Sequence, residues 1–147
     1  MYKRILVPTD GSPLAKMAVE AAVQLAASLG AEVVALNVVP DYPTSCYQGG
    51  IDVAVTEIAR VERMWAERGQ SLADDVGRTA ERAGVKAKAV TVHSDLVADA
   101  ILAAAKKNRC DLVVMASHGR KGIKRLLLGS ETEHVLTHGK IPVLVLR

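Results

Sequence analysis

Ile5-Leu6-Val7-Pro8-Thr9-Asp10-Gly11-Ser12-Pro13 decides the fold. Ile5-Leu6-Val7 is a short aliphatic run that reads as a buried strand, and Pro8 ends it because proline has no backbone N–H to continue a ladder. Thr9 to Ser12 is a loop of turn-forming residues. Ser12 before Pro13 predicts a helix start, since a serine hydroxyl can take an orphan amide and proline is favoured at the first helical position. Ala18, Ala21, Ala22, Leu25, Ala26 and Leu29 then recur at helical spacing until Gly30 stops the helix. Strand, loop and helix in that order form the first half of a βαβ unit.

Outward from this unit the same alternation repeats. Val33 to Val39 is a nearly continuous apolar run, interrupted by Asn37, as a strand of a parallel sheet covered on both faces requires. Residues 40–52 are rich in Pro, Gly, Ser and Asp and read as a loop. A long helical stretch follows over about 53–83, with Glu57, Arg60, Glu62, Arg63, Glu67 and Arg68 on its wet side and Gly69 and Gly77 as candidate interruptions. Lys86 to Val92 is a third strand. Asp95 is positioned to cap a helix over 96–108 that carries Leu96, Val97, Ala100, Ile101 and Ala104 inward. Leu112 to Ala116, a helix from Ser130 to His138 and a last strand Val143 to Leu146 complete the pattern. Strands alternating with helices give an α/β fold, a parallel sheet with right-handed crossovers. No internal repeat or composition break divides the chain, so a single domain is expected over 1–147.

Composition agrees. Half of the 147 residues are hydrophobic and Phe is absent, so the core is aliphatic, which suits helices on a buried sheet. The net charge of +3 is close to balanced and does not call for a nucleic-acid partner. Cys46 and Cys110 lie far apart and make neither a zinc pair nor a disulfide framework, which fits a reducing compartment. Cys110 reads as a small core residue ahead of a strand. The apolar run before Pro8 is too short for a signal peptide, and no window has the length and apolarity of a membrane helix. A soluble, cytoplasmic protein is expected.

In open α/β sheets ligands bind beyond the carboxyl ends of the strands, where strand order reverses. Three segments qualify: Pro8-Thr9-Asp10-Gly11-Ser12, the stretch after Val38-Val39, and the loop after Met115. The third reads Ala116-Ser117-His118-Gly119, then nine residues, then Gly129-Ser130 at a helix start. Small residues admit a close backbone approach, and a helix N-terminus attracts phosphate through its unsatisfied amides and dipole. Ser130 can add a hydroxyl and cap that helix. Arg120, Lys121, Lys124 and Arg125 between them can counter phosphate charge, although without interleaved aromatics they form no nucleic-acid patch. His118 reads as a loop histidine bonding backbone. His93, His134 and His138 read as scattered, with no metal-ligand spacing, so no metal site and no catalytic residue is expected. No GxxxxGK[ST] is present, so this is not a P-loop, and no GxGxxG follows the first strand.

The opening Ile5-Leu6-Val7-Pro8-Thr9-Asp10-Gly11-Ser12 resembles the first strand and loop of universal stress proteins. The segment Met115 through Gly119, Gly129, Ser130 and Pro142-Val143-Leu144-Val145-Leu146 resembles that family's nucleotide loop and final strand, and the order of elements agrees over essentially the whole chain. The resemblance implies a five-stranded, Rossmann-like α/β/α sheet and a homodimer paired through its last strands, here Val143 to Leu146. The family's ATP-binding pattern is Gly-x-x-Gly, nine residues, then Gly followed by Ser or Thr. Gly119, Gly129 and Ser130 match it, while Ala116 stands where the first glycine belongs. A methyl there is tolerated in an extended backbone and costly at positive φ. Carried over position by position, the resemblance puts Asp10 on the ribose or adenine side and the backbone of Val38 on the adenine edge. Gly119, Gly129, Ser130 and the backbone of Glu131 would meet the phosphates, with the Glu131 carboxylate near that charge. Pro8, Thr9, Met115, Ala116 and His118 complete the expected lining. The implied function is a stress-response regulator that binds adenine nucleotide, ATP (with Mg²⁺) or AMP, without fast turnover. The alternatives are a nucleotide-free dimeric interaction module and a slow ATPase.

Overall fold

The computed structural model describes residues 1–41, 55–120 and 128–147. Nine elements alternate along the chain: β1 (Arg4–Pro8), α1 (Pro13–Leu29), β2 (Glu32–Val39), α2 (Val55–Arg82), β3 (Ala87–His93), α3 (Val97–Lys107), β4 (Leu112–Ala116), α4 (Ser130–His138) and β5 (Val143–Leu146). The loop expected over 40–52 and the cations Lys121, Lys124 and Arg125 lie, apart from residues 40 and 41, outside the described residues.

The five strands form one sheet in the order β3-β2-β1-β4-β5, and every pairing is parallel. β1 is central because it is apolar on both faces. Its Ile5 and Val7 pack with Val19, Ala22, Val23 and Ala26 of α1 and with Ala73, Val76 and Ala80 of α2. Leu6, one residue out of phase, packs with Ala98, Ile101, Ala104 and Ala105 of α3 and with Val135 of α4. The two-residue period of a strand thus assigns alternate side chains to two cores, one under α1 and α2, the other under α3 and α4.

Local signals act as read at α1: the Ser12 hydroxyl accepts the Ala15 amide at 3.2 Å, Pro13 opens the helix, and Gly30 ends it at φ 64°. Of the recurring residues Ala18, Ala22 and Ala26 are buried, joined by Val19 and Val23, while Leu29 is exposed and Ala21 is only half-buried. Three further readings are corrected. Asp95 does not cap α3; its carboxylate accepts the Asp41 amide at 2.9 Å, and Leu96, expected inside, is the exposed cap residue. Neither Gly69 nor Gly77 interrupts α2, which runs unbroken through both. Gly69 is instead a close approach: a Cβ there would lie 2.5 Å from Asn37 Oδ1 and 2.6 Å from Val39 Cγ2. No described helix is long and apolar enough to cross a membrane.

Candidate functional site

Strand order reverses between β1 and β4: β1 runs on to β2 and β3 on one side, and β4 to β5 on the other. The chain therefore parts at the carboxyl ends of these two strands, and the loops that follow wall a crevice.

The β1 wall is built on local hydrogen bonds. The buried Thr9 donates its amide to Leu36 O at 2.8 Å and its carbonyl accepts Asn37 Nδ2 at 2.8 Å, while its hydroxyl accepts the Gly11 amide at 3.2 Å. The polar interruption at Asn37 is thus a buried tie between β2 and the β1 loop. Asp10 has both carboxylate oxygens engaged: Oδ1 accepts the Ser12 amide at 2.9 Å and Oδ2 accepts the Arg120 amide at 2.8 Å. Burial by itself pushes this carboxyl up, but the hydrogen bonds from Ser12 and Arg120 and the Arg120 charge outweigh it and hold Asp10 below its ordinary value.

The β4 wall is laid against the first by small residues. Ser117 is buried, donates its amide to Leu146 O at 2.7 Å and accepts the Gly129 amide at 2.7 Å, which pins the entry of α4 to the end of β4. Thr132 adds a second tie, its hydroxyl donating to Ala116 O at 3.0 Å. Gly119 is glycine for lack of space, because a Cβ would lie 2.6 Å from Asp10 Oδ2. At Gly129 a Cβ would lie 3.1 Å from Ser117 O and 3.3 Å from His118 Cα. Ala116 closes β4, and Arg109 is the one non-glycine residue with positive φ among the described residues, so the backbone accommodates the methyl at Ala116 without strain.

Helix α4 enters this crevice with Gly129 as its cap residue and no side chain on its first amides. Ser130 is the first helical residue and not the cap expected of it. Glu131 also departs from expectation: its carboxylate crosses to α3 and accepts the Ala98 amide at 2.8 Å, capping that helix across a gap of 33 residues in sequence. The negative charge foreseen beside the phosphate position is directed elsewhere. His118 Nδ1 lies 3.2 Å from the Ser117 hydroxyl and not on backbone.

Val38 belongs to the rim. Leu36 O points toward β1, where it receives Thr9, and strand alternation turns the peptide groups of Val38 the same way, past the last β1–β2 pair at Pro8–Leu36. Pro8, Thr9, Asp10, Ala116, His118, Gly119, Gly129 and Ser130 gather around the crevice, whereas Met115 points into the core beneath α3. Sequence reasoning missed Ser117, Thr132 and Asn37, whose roles rest on non-local partners. It also read the α4 histidines as scattered. His134 and His138, one turn apart, stack at 4.0 Å, and His134 Nε2 lies 3.0 Å from Asp99 Oδ1 of α3. Among the described residues no group of three or more His, Cys, Asp or Glu is arranged to hold a metal.

Comparison with known proteins sets this geometry in a family. The universal stress protein family model matches residues 1–147. Universal stress protein MJ0531 of Methanocaldococcus jannaschii is 34% identical over 151 aligned residues, which cover 100% of this chain and 83% of that protein. The structure of universal stress protein UspA from Lactobacillus plantarum superposes with a TM-score of 0.84 at 25% identity, covering 99% of this chain and 98% of that one. A universal stress protein solved in complex with cAMP shares the fold with a TM-score of 0.71 at 24% identity, over 99% of this chain and 97% of that one.

Proposed function

The chain belongs to the universal stress protein family, and from that premise we propose that it is a stress-response regulator that binds an adenine nucleotide, ATP or AMP, in the crevice between β1 and β4. The observation that carries this reading is the N-terminus of α4, which has no side-chain cap and follows the reversal point of the sheet, with Gly129 as its cap residue. Phosphate oxygens would take the amides of Ser130 and Glu131 and the Ser130 hydroxyl, favoured by the helix dipole. Asp10 lies across the crevice, where a carboxylate can accept ribose hydroxyls once it gives up the Arg120 amide. The rim peptide groups of Val38 would read the adenine edge. A protein of the same fold was solved in complex with cAMP, which supports this reading.

Both Asp10 oxygens sit on backbone amides, so this carboxylate is not a ready metal ligand and Mg²⁺ would arrive with ATP. In this reading the protein binds its nucleotide without fast turnover. The protein acts as a homodimer paired through β5, an edge strand whose Leu144 is exposed and whose outer side no described strand covers. The cell compartment in this reading is the cytoplasm.

Titration calorimetry of nucleotide-stripped protein with ATP, ADP and AMP, each with and without Mg²⁺, tests the proposal. Micromolar binding that Ser130→Ala weakens supports it. Absence of binding by any of the three would leave a dimeric interaction module, and steady phosphate release abolished in Asp10→Ala would make the protein a slow ATPase.

A further inference from the structure

The end of the sheet opposite the crevice carries a groove of about 910 Å³, at the amino ends of β1, β2 and β3 and the last turns of α2 and α3. Five cations line it: Arg4, Lys86, Lys88, Lys107 and Arg109. The carboxylates that line it are Glu32 and Glu81, so the groove has an excess of three positive charges, as large as the formal net charge of the whole chain. Glu32 is already engaged, accepting from Arg4 Nη2 at 2.9 Å, while Arg4 Nη1 donates to Asn108 O at 2.9 Å. The neighbouring Asp111 carboxylate accepts the amides of Lys3 and Arg4. Lys88 Nζ donates to the neutral Asn108 Oδ1 at 3.0 Å, which holds the lysine at the groove without cancelling its charge. Lys86, Lys107 and Arg109 have no ion-pair partner among the described residues.

A second observation concerns Arg109. The turn after α3 closes with the Arg109 amide on Lys106 O and the Cys110 amide on Ala105 O, the pairing that places its central residue in the left-handed region. The turn after α2 has the same two bonds, from Gly84 to Glu81 O and from Val85 to Ala80 O, and uses glycine at φ 71°. Gly30 serves at φ 64° after α1. At the third turn an arginine is held at φ 54°, a conformation that strains any residue with a Cβ. Lysines on an edge strand discourage edge pairing, and Lys107 suits the negative end of α3. Neither reason accounts for a strained arginine where the two sister turns have glycine.

We propose that this groove binds a base-free oligoanion, a polyphosphate chain whose oxygens bridge Lys86 and Lys88 at the amino end of β3 to the turn after α3. A single phosphate would fill little of the groove and reach few of its cations. No aromatic side chain lines it, so it has no platform on which a nucleic-acid base could stack. Converging like charges raise the local concentration of such a ligand, in a manner that salt screens.

The test titrates the full chain with sodium tripolyphosphate and with a longer polyphosphate, with and without saturating ATP to block the crevice. The longer polyphosphate should bind in both conditions, more weakly as salt rises. Lys86→Gln combined with Lys88→Gln should weaken it by roughly tenfold, as the loss of two charge-assisted contacts implies. Arg109→Gly separates ligand role from fold: it should weaken binding while leaving the melting temperature unchanged or higher, since glycine relieves the turn. No binding, or equal binding by the double variant, would overturn the proposal. A single-stranded oligonucleotide with the same number of phosphates that binds more tightly, and loses this in the double variant, would reassign the groove to nucleic acid. Failure of ATP to bind leaves this test intact, because it concerns other residues at the other end of the sheet.

Discussion

Helices α1 and α4 both begin at the crevice, yet their N-termini are finished differently. The first is closed by its own sequence: the Ser12 hydroxyl accepts the Ala15 amide and Pro13 has no amide to satisfy. The second is open. Its cap residue is Gly129, which has no side chain to offer, and Glu131 of its first turn is committed to α3. Protein groups take up the starts of α1 and α3, Ser12 in the one and Glu131 in the other, whereas the start of α4 is left open to water or to a ligand. Serine occurs at the starts of α1 and α4, one position apart relative to the helix, and that single step separates a cap from a candidate ligand contact.

The largest expected effect breaks the open end. Gly129→Val adds a side chain where a Cβ is already 3.1 Å from Ser117 O. Nucleotide affinity by calorimetry should fall roughly a hundredfold, with each ~1.4 kcal/mol of lost contact counting tenfold. A variant that binds normally would mean that α4 is not the phosphate site.

Asp10→Asn comes next, since it touches the wall between the two helices. It exchanges a carboxylate that accepts two backbone amides for a weaker acceptor, and should cost about 1–3 kcal/mol in denaturant unfolding at neutral pH. The folded Asp10 ionises below its unfolded value. Its contribution is therefore present above the unfolded pKa and is lost as pH falls through the folded one. The stability gap between wild type and variant should narrow below about pH 4. A gap that stays constant down to the acid limit would show that the carboxylate charge is not what holds Arg120.

Two serine variants sharpen the comparison itself. Ser12→Ala should lower stability by about 1 kcal/mol through loss of the cap, with nucleotide affinity unchanged. Ser130→Ala should do the reverse, leaving stability within about 0.5 kcal/mol while affinity drops several-fold. Equal behaviour of the two would erase the distinction. Glu131→Ala removes the acceptor for the Ala98 amide and should cost about 0.5–1 kcal/mol, measured as a lower melting temperature, with Glu131→Gln intermediate. The smallest effect belongs to Ala116→Gly. The alanine is unstrained, so restoring the glycine of the family pattern should change affinity by no more than about threefold and lower stability by about 0.5–1 kcal/mol.

Much of this was legible in the sequence because it is local. The bounds of β4, α4 and β5 follow from apolar runs and from the Gly129-Ser130 start, and α1 from its cap, its Pro13 and Gly30. The crevice loops were legible too, because a parallel sheet dictates where loops converge. The inward faces of α1 and α3 were legible in part: Ala18, Ala22, Ala26, Ile101 and Ala104 are buried, while Leu29 and Leu96 are exposed, since alanine is compatible with both the buried and the wet side of a helix. Leu96 was expected inside and is exposed, while Ala98 took the core position. Asp95 offered a fair local cap, but the Glu131 carboxylate reached the α3 amides from another helix, and Asp95 took Asp41.

The sequence alone determined the alternation of strands and helices, the aliphatic core, the family and the loops that face the crevice. These depend on periodicity and on the conformational limits of proline, glycine and serine, which act within a few residues. The tertiary structure alone decided which carboxylates are engaged, why Gly69, Gly119 and Gly129 are glycine, and that cations from three separate segments converge at the far end of the sheet. Those depend on contacts between residues distant in sequence, such as Asp10 with Arg120 and Arg4 with Asn108. Only the strand order β3-β2-β1-β4-β5 brings such residues together, and local sequence patterns do not specify it.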